Sequence, residues 1–176
     1  MKKIFAALFL SVASATSAAA ADDSFYVGLS LGGARSDTSN PRHPRVTTLQ
    51  GGYQFNKNLA VEALYGDFGN FSPDQFLKPR GGAVTVMGIV PFNDHWSGFG
   101  KLGFSSIDTN VSGYGSIDGT YKKTAVTYGI GGGYNFSPAF ALRLGMDIYR
   151  VGGAQAGVAI ENNTLTVTTI GAIYKF

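Results

Sequence analysis

Apolar and polar positions alternate along this chain. In FYVGLSL, Phe25, Val27, Leu29 and Leu31 fall on one face, with Tyr26, Gly28 and Ser30 on the other. In AFALRLGMDIY, Phe140, Leu142, Leu144, Met146 and Ile148 share a face against Ala141, Arg143, Gly145, Asp147 and Tyr149. A period of two held over about ten residues is the signature of a strand. No segment offers a comparable 3.6-residue stripe with caps, so essentially no helix is expected in the mature protein.

Four segments close on a phenylalanine after a run of strand: GGYQF at Phe55, GIVPF at Phe92, GGYNF at Phe136 and AIYKF at Phe176. Short turn signals follow the first three, Asn56-Lys57-Asn58, Asn93-Asp94-His95 and Ser137-Pro138. The spacings of 37, 44 and 40 residues each hold one up-strand, one long loop and one down-strand. Four such units predict eight strands, over 24–34, 45–55, 59–69, 81–92, 97–108, 121–136, 139–150 and 163–176. The segments SDTSNPRHP, NFSPDQFLKP, NVSGYGSIDG and GGAQAGVAIEN are the predicted long loops, all at one end.

Composition decides which face is which. Charged residues make up only 14% of the chain, below the usual quarter, while aromatics reach 13% and glycine 25 residues. A soluble eight-stranded carrier would turn its large apolar face inward and decorate the outside with charge. In strand seven that parity would expose Arg143 and Asp147 alone among glycine and alanine. The opposite parity turns the large residues to lipid and small or polar ones to a narrow lumen. Strands of ~9–11 residues suit a tilted membrane crossing. Tyr53, Phe55, Phe92, Trp96, Tyr134, Phe136, Tyr174 and Phe176 lie at the short-turn end, where an interfacial girdle belongs. The prediction is an all-β, eight-stranded antiparallel up-and-down transmembrane β-barrel.

The N-terminus supplies a route to such a location. Met1-Lys2-Lys3 is a basic start, IFAALFLSVASA an apolar stretch, and the small residues from Ser17 to Ala21 precede Asp22-Asp23. This is a secretory signal, too short and wrongly flanked to span a membrane. Residues 1–21 are expected to be removed after Sec-type export, leaving one barrel domain over 22–176. The absence of cysteine excludes disulfides, Cys-based metal or redox sites and a lipidated N-terminus. Of 14 basic residues, two are the leader lysines, which leaves 12 against 11 acidic ones. That near neutrality offers no nucleic-acid partner.

The chain resembles the OmpA-like eight-stranded outer-membrane β-barrels of Gram-negative bacteria. The short OmpX and Ail-type members, which lack a peptidoglycan-binding domain, are the closer comparison. The resemblance spans the mature chain. It rests on YVGLSLG, the G-x-x-Y-x-F strand ends, GKLGF, YGIGGGYNF, ALRLGMDIYR and the terminal TTIGAIYKF. It implies an integral protein of the outer membrane, monomeric, surrounded by outer-membrane lipids and lipopolysaccharide. Phe176, Tyr174 and Ile170, which with Ala172 and Thr168 occupy every second position of the last strand, are similar to the terminal signal read by the barrel-assembly machinery.

One motif is written twice. GGYQFNKNLAVEA at 51–63 returns as GGYNFSPAFALRL at 132–144, an offset of 81, and Glu62 stands opposite Arg143 at the twelfth position. Strands three and seven of such a barrel are diametrically opposed, so the two charges enter the lumen at similar height. An unpaired buried charge is costly and a hydrogen-bonded pair tolerable. Lys101 should reach the same layer and Asp147 sit one step of alternation above Arg143, giving a neutral cluster. The resemblance implies the same network. Two roles fit it, a rigid filling of the lumen or an electrostatic gate for small ions.

Catalysis finds little support. Lipid-active barrels need a His with a Ser or acidic partner at the membrane surface. Of the two His here, His95 lies in a short turn and His43 between prolines in PRHP, neither with such partners at a recognisable spacing. No enzyme activity, cofactor or metal is expected. Binding belongs to the loops. Arg35, Arg42, His43 and Arg45 make the first loop basic, suited to lipopolysaccharide headgroups. The resemblance to Ail-type proteins implies a sharper role, in adhesion to a host or matrix ligand.

Overall fold

The computed structural model describes residues 23–36, 44–71, 76–112, 119–155 and 158–176. They form eight strands in chain order: β1 (Ser24–Ser36), β2 (Arg45–Asn56), β3 (Leu59–Asp67), β4 (Phe76–Pro91), β5 (Trp96–Ser112), β6 (Gly119–Asn135), β7 (Phe140–Gln155) and β8 (Val158–Lys175). Each pairs antiparallel with its neighbours, and β1 closes on β8 to complete a barrel. No helix occurs among the described residues. The expected leader, 1–21, lies outside them.

Strand positions follow the alternation, but several strands run further than it indicates. β4 begins at Phe76 rather than 81. Pro79 reads as a breaker, yet here its missing N–H faces β3, whose regular pairing ends at Asp67↔Arg80. On that side its carbonyl still accepts a hydrogen bond from the Phe68 N–H at 3.1 Å. The segment GGAQAGVAIEN is mostly strand rather than loop. Gly153↔Ile160, Ala154↔Ala159 and Gln155↔Val158 extend the β7–β8 hairpin past a bulge after Val151. Cross-strand bonding outweighs the poor strand propensity of its glycines.

The lipid-facing parity is the observed one. Phe25, Leu29, Leu31, Val84, Leu102, Phe104, Leu144 and Ile170 are exposed on the outer wall. Three aromatic triads mark the short-turn end, each a Tyr-x-Phe plus a ring from the adjacent strand. Tyr53 lies 4.7 Å from Phe25 and 5.0 Å from Phe55. Tyr134 lies 4.8 Å from both Trp96 and Phe136. Tyr174 lies 4.9 Å from both Phe140 and Phe176. Such offset and edge contacts suit rings at a membrane interface. GIVPF carries Val90 in place of the tyrosine and builds no triad.

The lumen is more apolar than its expected small and polar filling. Ala34, Val46, Phe68, Ala83, Ile107, Tyr149, Leu165 and Val167 form one buried cluster toward the long-loop end. Tyr26, Ala60, Met87, Phe99 and Ile173 form a second toward the short turns. Strands such as β4 carry apolar residues on both faces, and period-two parity cannot rank them.

Candidate functional site

Between the two apolar clusters lies a layer of charge. Glu62 (β3), Lys101 (β5) and Asp147 (β7) are buried, and the Arg143 side chain (β7) keeps 15% exposure. Arg143 Nη1 donates to Glu62 Oε2 and forms an ion pair with it. The Tyr26 hydroxyl donates to the same oxygen at 2.9 Å. Lys101 Nζ bridges the two acids, 3.4 Å from Glu62 Oε1 and 3.0 Å from Asp147 Oδ1. The result is a continuous chain, Arg143–Glu62–Lys101–Asp147, with two positive and two negative groups. Charges this deep persist because every one is paired and hydrogen-bonded.

Tyr26 and Phe99 complete the layer, and sequence reasoning missed both as partners. The Arg143 guanidinium lies 5.2 Å from each ring centroid, and Lys101 Nζ lies 5.7 Å from that of Phe99. The rings offer their negative faces to the two lumen cations. Their signal was present: Tyr26 sits on the small, polar face of β1, and Phe99 shares the face of Lys101 two residues on.

Glycine placement lets the charges meet. Gly129 stands in register between Lys101 on β5 and Asp147 on β7. A Cβ there would fall on the Asp147 carboxylate. Gly52 likewise stands between Tyr26 and Glu62, and a Cβ would meet the Tyr26 hydroxyl. Gly129→Ala should therefore destabilise the barrel by about 1–3 kcal/mol, the usual cost of overpacking. Gly132→Ala is the control, since its nearest contact would be Ser97 O at an ordinary 3.5 Å. Urea unfolding of both in lipid vesicles, followed by the fluorescence of Trp96, checks this. Equal midpoints would mean that Gly129 makes no room.

A cavity of about 1010 Å³ opens at the short-turn end, lined by Gln54, Lys57, Asp94, Asn135 and Lys175 among others. It ends against Met87, Phe99, Arg143 and Ile173, below the charge layer. At the opposite rim, Arg35 and Arg45 are strand residues rather than loop residues. Arg35 pairs with Thr166 and Arg45 with Gly33, and both side chains are exposed. Arg42 and His43 lie outside the described residues. His95 stacks on Tyr134 at 5.7 Å, and its N–H bonds to Asn93 Oδ1 at 2.9 Å. No group of three or more potential metal ligands occurs among the described residues.

Tyr174 and Ile170 point outward from β8. Phe176 continues the line, its N–H donating to the Phe25 carbonyl at 2.9 Å.

The model of a family described as outer membrane protein beta-barrel domain matches residues 5–176. No curated protein matches by sequence. The fold is similar to that of Neisserial surface protein A (NspA), with TM-score 0.73 and 17% identity over 86% of this chain and 97% of that one. It is similar to Ail of Yersinia pestis, solved in complex with the heparin analogue sucrose octasulfate, with TM-score 0.60, 20% identity and coverage of 88% and 97%. The N-terminal β-barrel domain of Pseudomonas aeruginosa OprF aligns with TM-score 0.57 and 15% identity, covering 86% and 97%.

Proposed function

Because this chain belongs to the outer membrane protein β-barrel family, we propose that it is a structural element of the outer membrane wall, closed along its axis, whose outer rim binds anionic partners. The closed lumen carries this reading. Phe68, Ile107, Leu165 and their neighbours fill it on one side of the ion pairs, and Met87, Phe99 and Ile173 fill it on the other. An ion path would have to displace two apolar layers as well as break the charge chain. The reading includes no catalytic step. It includes Sec-type export, removal of residues 1–21 and delivery by the barrel-assembly machinery.

The rim reading rests on charge. Arg35 lies two residues beyond Gly33, the partner of Arg45, so the two exposed guanidinium groups are diagonal neighbours on adjacent strands. Arg42 and His43 fall in the connection between them. Paired cations of this kind suit sulfate or phosphate, and arginine binds both well. The complex of Ail with sucrose octasulfate supports a sulfated polysaccharide as the ligand class.

The test has two arms. Purified barrel in planar bilayers should give no steady conductance. Cells carrying Arg35→Gln, Arg42→Gln and Arg45→Gln together should lose adhesion to heparin-coated surfaces, and added salt should weaken the unmodified protein in the same way. Steady ion conductance would favour a channel, and unchanged adhesion would remove the rim from the proposal.

A further inference from the structure

The cavity at the short-turn end has a charge of its own. Short turns face the periplasm in barrels of this kind. Of the four charged side chains in the layer above it, Arg143 alone lines the cavity, with 15% exposure against 8% or less for Glu62, Lys101 and Asp147. Its Nη1 is committed to Glu62, but a guanidinium carries five N–H donors in a planar fork. Lys175 lines the same cavity from β8. It stands in register with Tyr26, whose ring holds the Arg143 guanidinium at 5.2 Å, so the two cations flank one ring and repel each other. Lys175 forms no ion pair among the described residues. No acidic residue occupies a described lumen-facing position below the charge layer, and the turns at the mouth add one charge of each sign, Lys57 and Asp94. The layer itself is neutral, so Lys175 leaves the cavity with an unmatched positive charge.

The walls decide which anion fits. Beside Arg143 lies an apolar belt of Met87, Ile89, Phe99, Ala141 and Ile173. Toward the mouth it gives way to hydroxyls and side-chain amides, those of Ser24, Gln54, Ser97 and Asn135. At about 1010 Å³ the space stands at the upper end of ligand sites, ~300–1,000 Å³. An inorganic anion would leave the belt facing water. A fatty acid would meet Arg143 with its head and lay its tail across amides that it cannot bond. A peptide end suits all three zones, because carboxylate, apolar side chain and backbone amides follow one another along it in that order.

We propose that this cavity binds, from the periplasmic side, the C-terminal end of a polypeptide whose last residue is apolar. The carboxylate accepts from the Arg143 fork and from Lys175 Nζ, in charge-assisted bonds. The last side chain enters the apolar belt, and Gln54 and Asn135 bond the preceding peptide groups. This goes beyond an anionic partner at the outer rim, because it lies at the other end of a lumen that two apolar layers close in between.

Calorimetric titration of the full folded chain in detergent tests it. The probes are acetyl-Ala-Ala-Leu with a free carboxylate, the same peptide amidated at its C-terminus, isocaproate and inorganic phosphate. The expected result is a one-to-one complex with the free peptide, the amidated form binding at least about tenfold more weakly, as lost charge-assisted bonds require. Isocaproate keeps the carboxylate and the leucine side chain without the amides, and it should also bind at least about tenfold more weakly. Lys175→Gln should bring the same loss for the free peptide, while Arg80→Gln, on the outer wall toward the long loops, should bind it as before. Equal binding of the amidated peptide would overturn the proposal, as would full binding by Lys175→Gln. Equal binding of isocaproate, or displacement of the peptide by equimolar phosphate, would reduce the ligand to a simpler anion and overturn it as well. A second measurement locates the complex without altering a cation. The chain has no native cysteine, so Ser97→Cys in the cavity and Asn110→Cys toward the opposite rim can each be alkylated alone. The free peptide should slow alkylation at position 97 and leave position 110 unchanged. Protection at 110, or none at 97 under saturating peptide, would place the complex elsewhere and overturn the proposal.

Discussion

Glu62→Gln is expected to lower the folding stability of the barrel by about 3–5 kcal/mol, the range for breaking a buried ion pair by removing one partner. The value should fall at the upper end, because one carboxylate serves Arg143, Lys101 and Tyr26 together. Arg143→Met should cost less, since the guanidinium borders the open cavity at the short-turn end and Glu62 would keep two donors. The double variant should recover most of the loss, leaving Lys101 to pair with Asp147 alone. Urea unfolding in vesicles gives the coupling energy from the four proteins. Additive losses would mean that the two side chains do not support each other. Conductance is the second readout, and it should stay absent in every variant because the apolar layers on both sides remain in place. An ion current in either single variant would make the pair a gate and reverse the structural reading.

The contacts also bear on how far the repeat can be trusted. An offset of 81 with Glu62 opposite Arg143 reads as a pseudo-symmetric pair, which invites exchanging the two residues. The surroundings are not symmetric. Tyr26 donates to the Glu62 carboxylate and Lys101 approaches its other oxygen, so a guanidinium at position 62 would meet a cation and a hydroxyl. Exchange should restore less than the neutral double variant. The pairing was legible because identical spacing from a girdle phenylalanine fixes height on opposite strands. Tyr26, Phe99 and the intervening glycines were not, because alternation assigns a face without assigning neighbours. Those depend on register across three strands, Tyr26↔Gly52↔Glu62 in one case. Strand number and lipid-facing parity were legible for the same local reason, a sustained period of two ended by turn residues. The extension of β7 and β8 was not, since glycine, alanine and polar residues carry no alternation and only bonding to a neighbour orders them.

Phe176→Ala is expected to leave most of the protein outside the outer membrane, a larger defect than any other single girdle substitution. Two roles compete for this residue. As a girdle ring it packs on Tyr174 at 4.9 Å, which contributes about 0.5–1.5 kcal/mol beyond area burial. As the terminal aromatic it would also be the element that the assembly machinery reads, together with Tyr174 and Ile170. The barrel supplies its own control, because Phe136 packs on Tyr134 at 4.8 Å in an equivalent triad far from the terminus. Phe136→Ala removes the same packing and leaves the terminal pattern intact, and Leu142→Ala removes a lipid-facing side chain with neither property. The alanine at 176 keeps the backbone bond from its N–H to the Phe25 carbonyl, so closure of β1 on β8 is preserved. Outer-membrane fractions should hold both control variants at close to the normal level and little of the terminal one. Refolding of all three from urea into vesicles without any assembly factor should succeed with similar yields. Equal membrane levels for Phe176→Ala and Phe136→Ala would reduce Phe176 to its girdle role. A refolding failure of the terminal variant alone would shift the cause from recognition to the stability of the β8 closure.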